Sequence, residues 1–249
     1  MEKRKESQNK NKKGGLKARG QRLKAGILKS YYGNPMRDMK LIAITGTTGK
    51  VTVAHFVHEI LRASGEQVAV LASDQPFKLG MLHKFLSDAW KAGANVVIVT
   101  VPAETLRDNV FYGLPVHVAA MTNFTTSSLK DMTAEEYLED EKTLFSMKPE
   151  IVIMNRDDVN YEAFATEFKG EKSTLDYGLT GTDVKILNSK LYPKGTEATL
   201  SIKSEIVSVA TFVPGETAVS YMACATAIAK AMDINTDAIV DGIAEYQPE

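Results

Sequence analysis

Short apolar runs recur along the chain, each followed by a glycine or a polar break and then by helically spaced residues. Leu41–Ile44 reads as a buried strand, and Val53, Phe56, Val57, Ile60 and Leu61 then share one helix face. QVAVLA at 67–72, NVVIVTV at 95–101, HVAAMT at 117–122 and EIVIMN at 150–155 predict four more strands. Helices are expected over 78–91, where Leu79, Leu82, Phe85, Leu86 and Trp90 cluster, and over about 133–146. Strands that are apolar throughout and alternate with helices indicate a parallel sheet covered on both faces. From residue 183 the texture changes: VKILNSKL, EATLSIK and EIVSVATF alternate and are separated by short turns, as in an antiparallel patch at a sheet edge. Helices over 216–232 and 235–245 follow, the last with Asn235 as its cap. The predicted fold class is α/β: a P-loop-type, mostly parallel sheet with helices on both faces and a small antiparallel edge patch.

Composition places the chain among globular proteins, because 44% of its 249 residues are hydrophobic and 24% charged. No apolar run approaches the roughly eighteen residues of a membrane span. The basic N-terminus has no apolar core behind it, so no secretory signal is expected. Cys224 is the single cysteine, which excludes an internal disulfide and sets a cytoplasmic location as the default expectation. Residues 1–40 carry 13 Lys/Arg against 3 Asp/Glu, a net +10 on a chain whose overall charge is −1. Residues 1–15 are polar and expected to be disordered; 16–31 could form a short basic helix, which Gly33-Asn34-Pro35 ends. The division expected is a basic arm over 1–30 and one globular domain over 31–249. A solubilising tail is favoured over a nucleic-acid or lipid tether, because no aromatic residue is interleaved to stack on bases.

The candidate chemistry lies between the first strand and its helix, in Thr45-Gly46-Thr47-Thr48-Gly49-Lys50. Strand, glycine turn, lysine and helix form the layout of a phosphate-binding loop. Glycines let backbone N–H groups face an anion, the helix N-terminus adds partial positive charge, and Lys50 reaches outer phosphates. The residue after the lysine, which would carry the magnesium-binding hydroxyl, is Val51; Thr52 comes one place late, about 100° further round the helix. His55 and His58 lie off the core face with no third ligand near in sequence, so solvated histidines are expected over a zinc site. Asp157-Asp158 reads first as a helix start, Cys224 as a small core residue, and Thr125, Thr126, Ser127 and Ser128 as a polar loop without a base.

Taken together, these segments resemble the central, ATP-binding domain of the Mur ligases, over roughly residues 30–249. The similarity is greatest to the enzyme that adds the third amino acid to UDP-N-acetylmuramoyl-dipeptide, and more distant to folylpolyglutamate synthase. SYYGNPMRDMKLIAITGTTGK is similar to the family's linker and G-T-N-G-K-T-T loop, and MTNFTTSSL at 121–129 to its T-N-L-T-x-D-H-L-D segment. EEYLEDEKTLF at 135–145 resembles the next helix, IMNRDDVNYEAF at 153–164 the N-x-D-D segment, and the 213–234 run the P-G-x-F-N helix. The resemblance implies ATP as cofactor, held by Gly46, Thr47, Thr48, Gly49, Lys50, Val51 and Thr52, with Asn155 and Asp158 on the adenine–ribose side.

The resemblance also implies an acyl phosphate made from a carboxylate, attack by an amine, and two magnesium ions beside the loop. Position by position, the metal ligands are replaced. The strand-end Glu is Thr100, the D-H-L-D run is Ser127-Ser128-Leu129-Lys130, and Ala218 stands for the Asn of the later helix. The carbamylated lysine falls on Glu141, with Lys142 one residue away. Nucleotide-binding parts remain while magnesium-binding parts are neutral or cationic, so neither a catalytic nor a metal residue is assigned. A ligase weak or inactive by itself is expected, with partners supplying the domains that bind a UDP-muramoyl peptide and the amine. The alternatives are a non-catalytic nucleotide-binding scaffold and, less favoured, an ATPase switch whose basic arm meets nucleic acid or an anionic membrane.

Overall fold

The structure, a computed structural model, describes residues 20, 23–28, 30–125, 133–168 and 173–248. The 1–15 arm and the Ser127–Lys130 segment lie outside them, as does much of the helix expected over 16–31; residues 23–28 and 30–31 are helical. Nine strands among the described residues form one sheet: β1 (Lys40–Thr45), β2 (Val68–Leu71), β3 (Val96–Thr100), β4 (Val118–Met121), β5 (Ile151–Asn155), β6 (Ser173–Gly178), β7 (Val184–Tyr192), β8 (Gly195–Ile202) and β9 (Glu205–Thr211). Their order is β2-β3-β1-β4-β5-β6-β7-β8-β9. Pairing is parallel from β2 to β7 and antiparallel in the β7-β8-β9 edge. The predicted fold class therefore holds.

The helices are α1 (Lys50–Ala63), α2 (Leu79–Lys91), α3 (Ala103–Arg107), α4 (Ala134–Ser146), α5 (Tyr161–Phe168), α6 (Glu216–Ala231) and α7 (Thr236–Glu245). Alternation along β1 explains the two layers, since successive side chains leave opposite faces of a strand. Ile42 and Ile44 join a core with α1, α6 and α7, whereas Leu41 and Ala43 join one with α2, α4 and α5. Helix α4 starts with a capping box, Thr133 with Glu136, and Asn235 caps α7 through the Ala238 amide at 2.8 Å.

Three elements lie beyond the periodicity argument. Strand β6 carries only Leu175 and Tyr177 as large apolar residues, α3 has five residues, and α5 has eight. Trp90 corrects the face assigned to 78–91: it is exposed while Leu79, Leu82 and Leu86 are buried. The two histidines are half-buried rather than fully solvated. His55 stacks on Tyr246 with ring centroids 5.6 Å apart, and His58 Nδ1 lies 3.0 Å from Glu59.

Helix α7 packs so closely across α1 that a Cβ on Gly242 would run into the backbone of Ile60. Gly242→Ala should therefore push the two helices apart and cost about 3 kcal/mol, read as a lower urea midpoint with an unchanged slope. An unaltered midpoint would show that α7 slides without cost.

Candidate nucleotide-binding site

Strand β1 is flanked by β3 on one side and β4 on the other, so the strand order reverses at its carboxyl end. In open α/β sheets such a crevice receives ligands. Thr45-Gly46-Thr47-Thr48-Gly49 leaves β1 there and enters α1 at Lys50. Gly46 and Gly49 have φ of 124° and 80°, both in the region that favours glycine. A Cβ would also collide with Thr122 at Gly46 and with the Tyr221 ring at Gly49. Gly49 is the N-cap and offers no side-chain acceptor, so the first turn of α1 presents amides that no cap covers.

The loop takes its shape from the end of β4. Asn123 Oδ1 accepts from Thr47 Oγ1 at 2.7 Å and from the Thr48 amide at 3.1 Å. The Thr47 amide donates to the Asn123 carbonyl at 3.0 Å, and Thr122 Oγ1 donates to the Thr48 carbonyl at 2.7 Å. From the next segment the Thr125 amide donates to Thr47 Oγ1 at 2.9 Å. Thr47 and Thr48 are thus committed to the loop's own conformation. Val51 and Thr52 are half-buried in the first turn of α1.

Lys50 is only 6% exposed. Its Nζ donates to the Gly46 carbonyl at 2.8 Å and pairs with Asp74 at 3.3 Å. Glu141 from α4, 1% exposed, contacts the Thr45 hydroxyl through Oε2, while Oε1 has no hydrogen-bond partner. Burial pushes this carboxyl up to about 7; Thr45, Tyr137, the Lys50 charge and the Gly46 backbone oppose that rise. Thr45 Oγ1 also lies 3.0 Å from the Val101 carbonyl and has one proton to give. That one proton is shared between the Glu141 carboxyl, toward which Thr45 donates, and the Val101 carbonyl.

Asn155 and Asp158 bond the 122–124 segment that braces the loop. Asn155 Nδ2 donates to the Thr122 carbonyl at 3.2 Å and its Oδ1 accepts the Asp157 amide at 3.0 Å. Asp158 accepts the Phe124 amide at 2.6 Å and the Asn160 amide at 2.9 Å. The buried Tyr177 hydroxyl also donates to the Thr122 carbonyl, at 2.7 Å. Asp157 departs from its expected role at the start of a helix: it ties the loop after β6, accepting from the Leu179 and Thr180 amides at 2.6 and 2.9 Å. The expected residues thus divide into the loop itself and the struts that fix β4 beneath it. Sequence reasoning missed Thr122, Asn123, Tyr177 and Tyr221 as supports; only the family-like MTNF segment pointed to the first two.

Of the two residues near the position implied for a carbamylated lysine, Glu141 is buried against Thr45, whereas Lys142 is half-buried and pairs with Glu139 at 3.1 Å. Magnesium ions, which the resemblance implies, require several oxygen donors in near-octahedral array. Val51 offers none, and the Thr100 hydroxyl is taken up by Ser73, accepting its amide at 2.7 Å and donating to its carbonyl at 2.8 Å. Glu141 is one carboxyl biased toward neutrality, and no group of three His, Cys, Asp or Glu among the described residues could hold a metal. These residues do not fit the ion.

Three comparisons bear on this geometry. A model described as the Mur ligase middle domain matches residues 44–229. The UDP-N-acetylmuramoyl-L-alanyl-D-glutamate–2,6-diaminopimelate ligase of Bacillus licheniformis is 29% identical over 237 residues, covering 86% of this chain and 48% of that protein. The chain thus spans about half the length of the curated relatives it matches. A solved ligase of the same description superimposes with a TM-score of 0.78 at 20% identity, over 85% of this chain and 47% of the other. The MurF ligase of Thermotoga maritima, solved in complex with ADP, gives 0.73 at 15% identity over 90% and 53%. Among the described residues, no helix is long and apolar enough to cross a membrane. With the loop, the switch-point crevice and the family match in agreement, this chain belongs to the Mur ligase middle-domain family.

Proposed function

We propose that the chain is an ATP-binding module of Mur-ligase type, connected with the joining of amino acids to a UDP-muramoyl peptide in peptidoglycan precursor synthesis, and weak or inactive as a ligase by itself. The observation that carries the nucleotide reading is the Lys50 loop, placed at the sheet's switch point and opening α1 without a side-chain cap. Relatives of the same architecture solved with ADP support ATP as the ligand. The weak-or-inactive part rests on Val51, on the Thr100 hydroxyl committed to Ser73, and on the bias of Glu141 toward neutrality. Separating the charge of an acyl-phosphate intermediate without dications leaves a large electrostatic term unmet. Activity would then depend on metal ligands supplied from outside the described residues, and a cytoplasmic location accords with this chemistry. The second reading, a nucleotide-binding scaffold without turnover, is favoured by the same three residues.

Calorimetric titration of ATP and ADP, first with Mg²⁺ and then with EDTA, tests both. Binding that survives EDTA, without hydrolysis, is the expected result. Binding that strictly requires Mg²⁺, with turnover, would return the chain to the ordinary metal-dependent ligases. No binding of either nucleotide would remove the nucleotide reading.

A further inference from the structure

We propose that Asp74 is an internal competitor for the phosphate-binding lysine: its carboxylate holds Lys50, and an anionic ligand takes the loop by displacing it. The inference rests on the nucleotide reading above and adds to it the residue that sets which charge state of nucleotide the site accepts. Asp74 lies after β2, in a turn that reaches the loop from the neighbouring part of the sheet, and its side chain is 66% exposed. Its Oδ1 stands 3.3 Å from Lys50 Nζ, the cation that the loop geometry offers to phosphate.

The contact is built from both sides. Thr100, at the end of β3, grips Ser73 through the Ser73 amide and carbonyl at 2.7 and 2.8 Å. Ser73 Oγ accepts the Gln75 amide at 3.0 Å and lies 3.1 Å from the Gln75 carbonyl, closing a tight turn with Asp74 at its tip. Beyond it, the Phe77 amide bonds Thr105 Oγ1 at 3.3 Å and the Phe77 side chain is buried. The Asp74 turn is therefore held at both ends, and its carboxylate is presented to Lys50 rather than arriving by chance. Lys50, for its part, is fixed by the Gly46 carbonyl at 2.8 Å.

An incoming phosphate competes with Asp74 for one ammonium and is repelled by its charge at short range. The penalty scales with the ligand's own charge. Free ATP suffers most, and the magnesium complex, with two negative charges neutralised, suffers least.

Asp74→Asn should therefore tighten free ATP in EDTA about tenfold, and the magnesium complex by a clearly smaller factor, both by calorimetry. Added salt should shrink the difference. An unchanged affinity overturns the proposal. So does a loss of affinity confined to Mg²⁺, which would make Asp74 a metal ligand instead. A double-mutant cycle with Lys50→Met and Asp74→Asn, read by urea unfolding without nucleotide, checks the contact independently. Coupling of about threefold in the unfolding constant is expected, and none would overturn the contact itself. Coupling with no nucleotide bound by either form would overturn the nucleotide reading, and the competition with it.

Discussion

Raising the pH from 5 to 8 is expected to cost the folded chain about 2.5 kcal/mol through Glu141 alone. Burial sets this carboxyl at about 7 in the fold, against an ordinary value of 4.5 in the unfolded chain. Between those values the folded state keeps a proton that the unfolded state has released. The stabilisation is complete below about 4.5 and is lost as pH rises through about 7. Geometry explains the preference. Oε1 has no hydrogen-bond partner, so the anion would leave a charged oxygen unsolvated in the interior. Thr45 has one proton to offer, and the Val101 carbonyl competes for it. Glu141→Gln keeps an acceptor toward Thr45 and cannot ionise. Urea unfolding of both proteins across this range should give a difference curve that climbs with pH in favour of the glutamine form. Parallel curves would mean that Glu141 is already ionised at pH 5.

The second large effect concerns the ligand. Lys50→Ala should weaken ATP about 100-fold, since a charge-assisted contact to phosphate from a buried lysine is lost. The domain should stay folded. The lysine's ammonium bonds a loop carbonyl and an exposed aspartate, and losing it leaves Glu141 further inclined to its neutral form at neutral pH. Unaltered circular dichroism with binding lost is the expected pair of results. Binding retained would place the anion on the backbone amides alone.

The legible part of this molecule was the part written in continuous apolar runs. Strands β1 to β5 and the alternating edge β7 to β9 follow from Leu41–Ile44, the 95–101 run and their counterparts, because a buried parallel strand must be apolar on both faces. Strand β6 escaped because Asp176 and Thr174 lie among its few apolar residues. Asp176 is admitted there because its carboxylate accepts from Arg156 at 2.6 Å and from the Thr182 amide at 2.5 Å. At the site, the loop glycines and Lys50 were legible from local spacing. Asp74, Asn123 and Tyr221 were not, because each reaches the loop across a gap that no local pattern encodes. Glu141 was legible only through resemblance; its burial and its pairing with Thr45 belong to the packed helix α4.

The bracing of the phosphate loop by Thr122 and Asn123 also orders events in time. These contacts join positions about 75 residues apart in the chain, so the loop cannot acquire its shape when β1 and α1 first form. It must wait until β4 docks beside β1, a non-local step whose closure entropy falls late in folding. During synthesis, the stretch from Thr45 to Lys50 leaves the ribosome long before its template at 122 and 123. ATP therefore cannot serve as an early nucleus for this fold. On the proposed nucleotide reading, it would stabilise the chain only after the sheet is assembled.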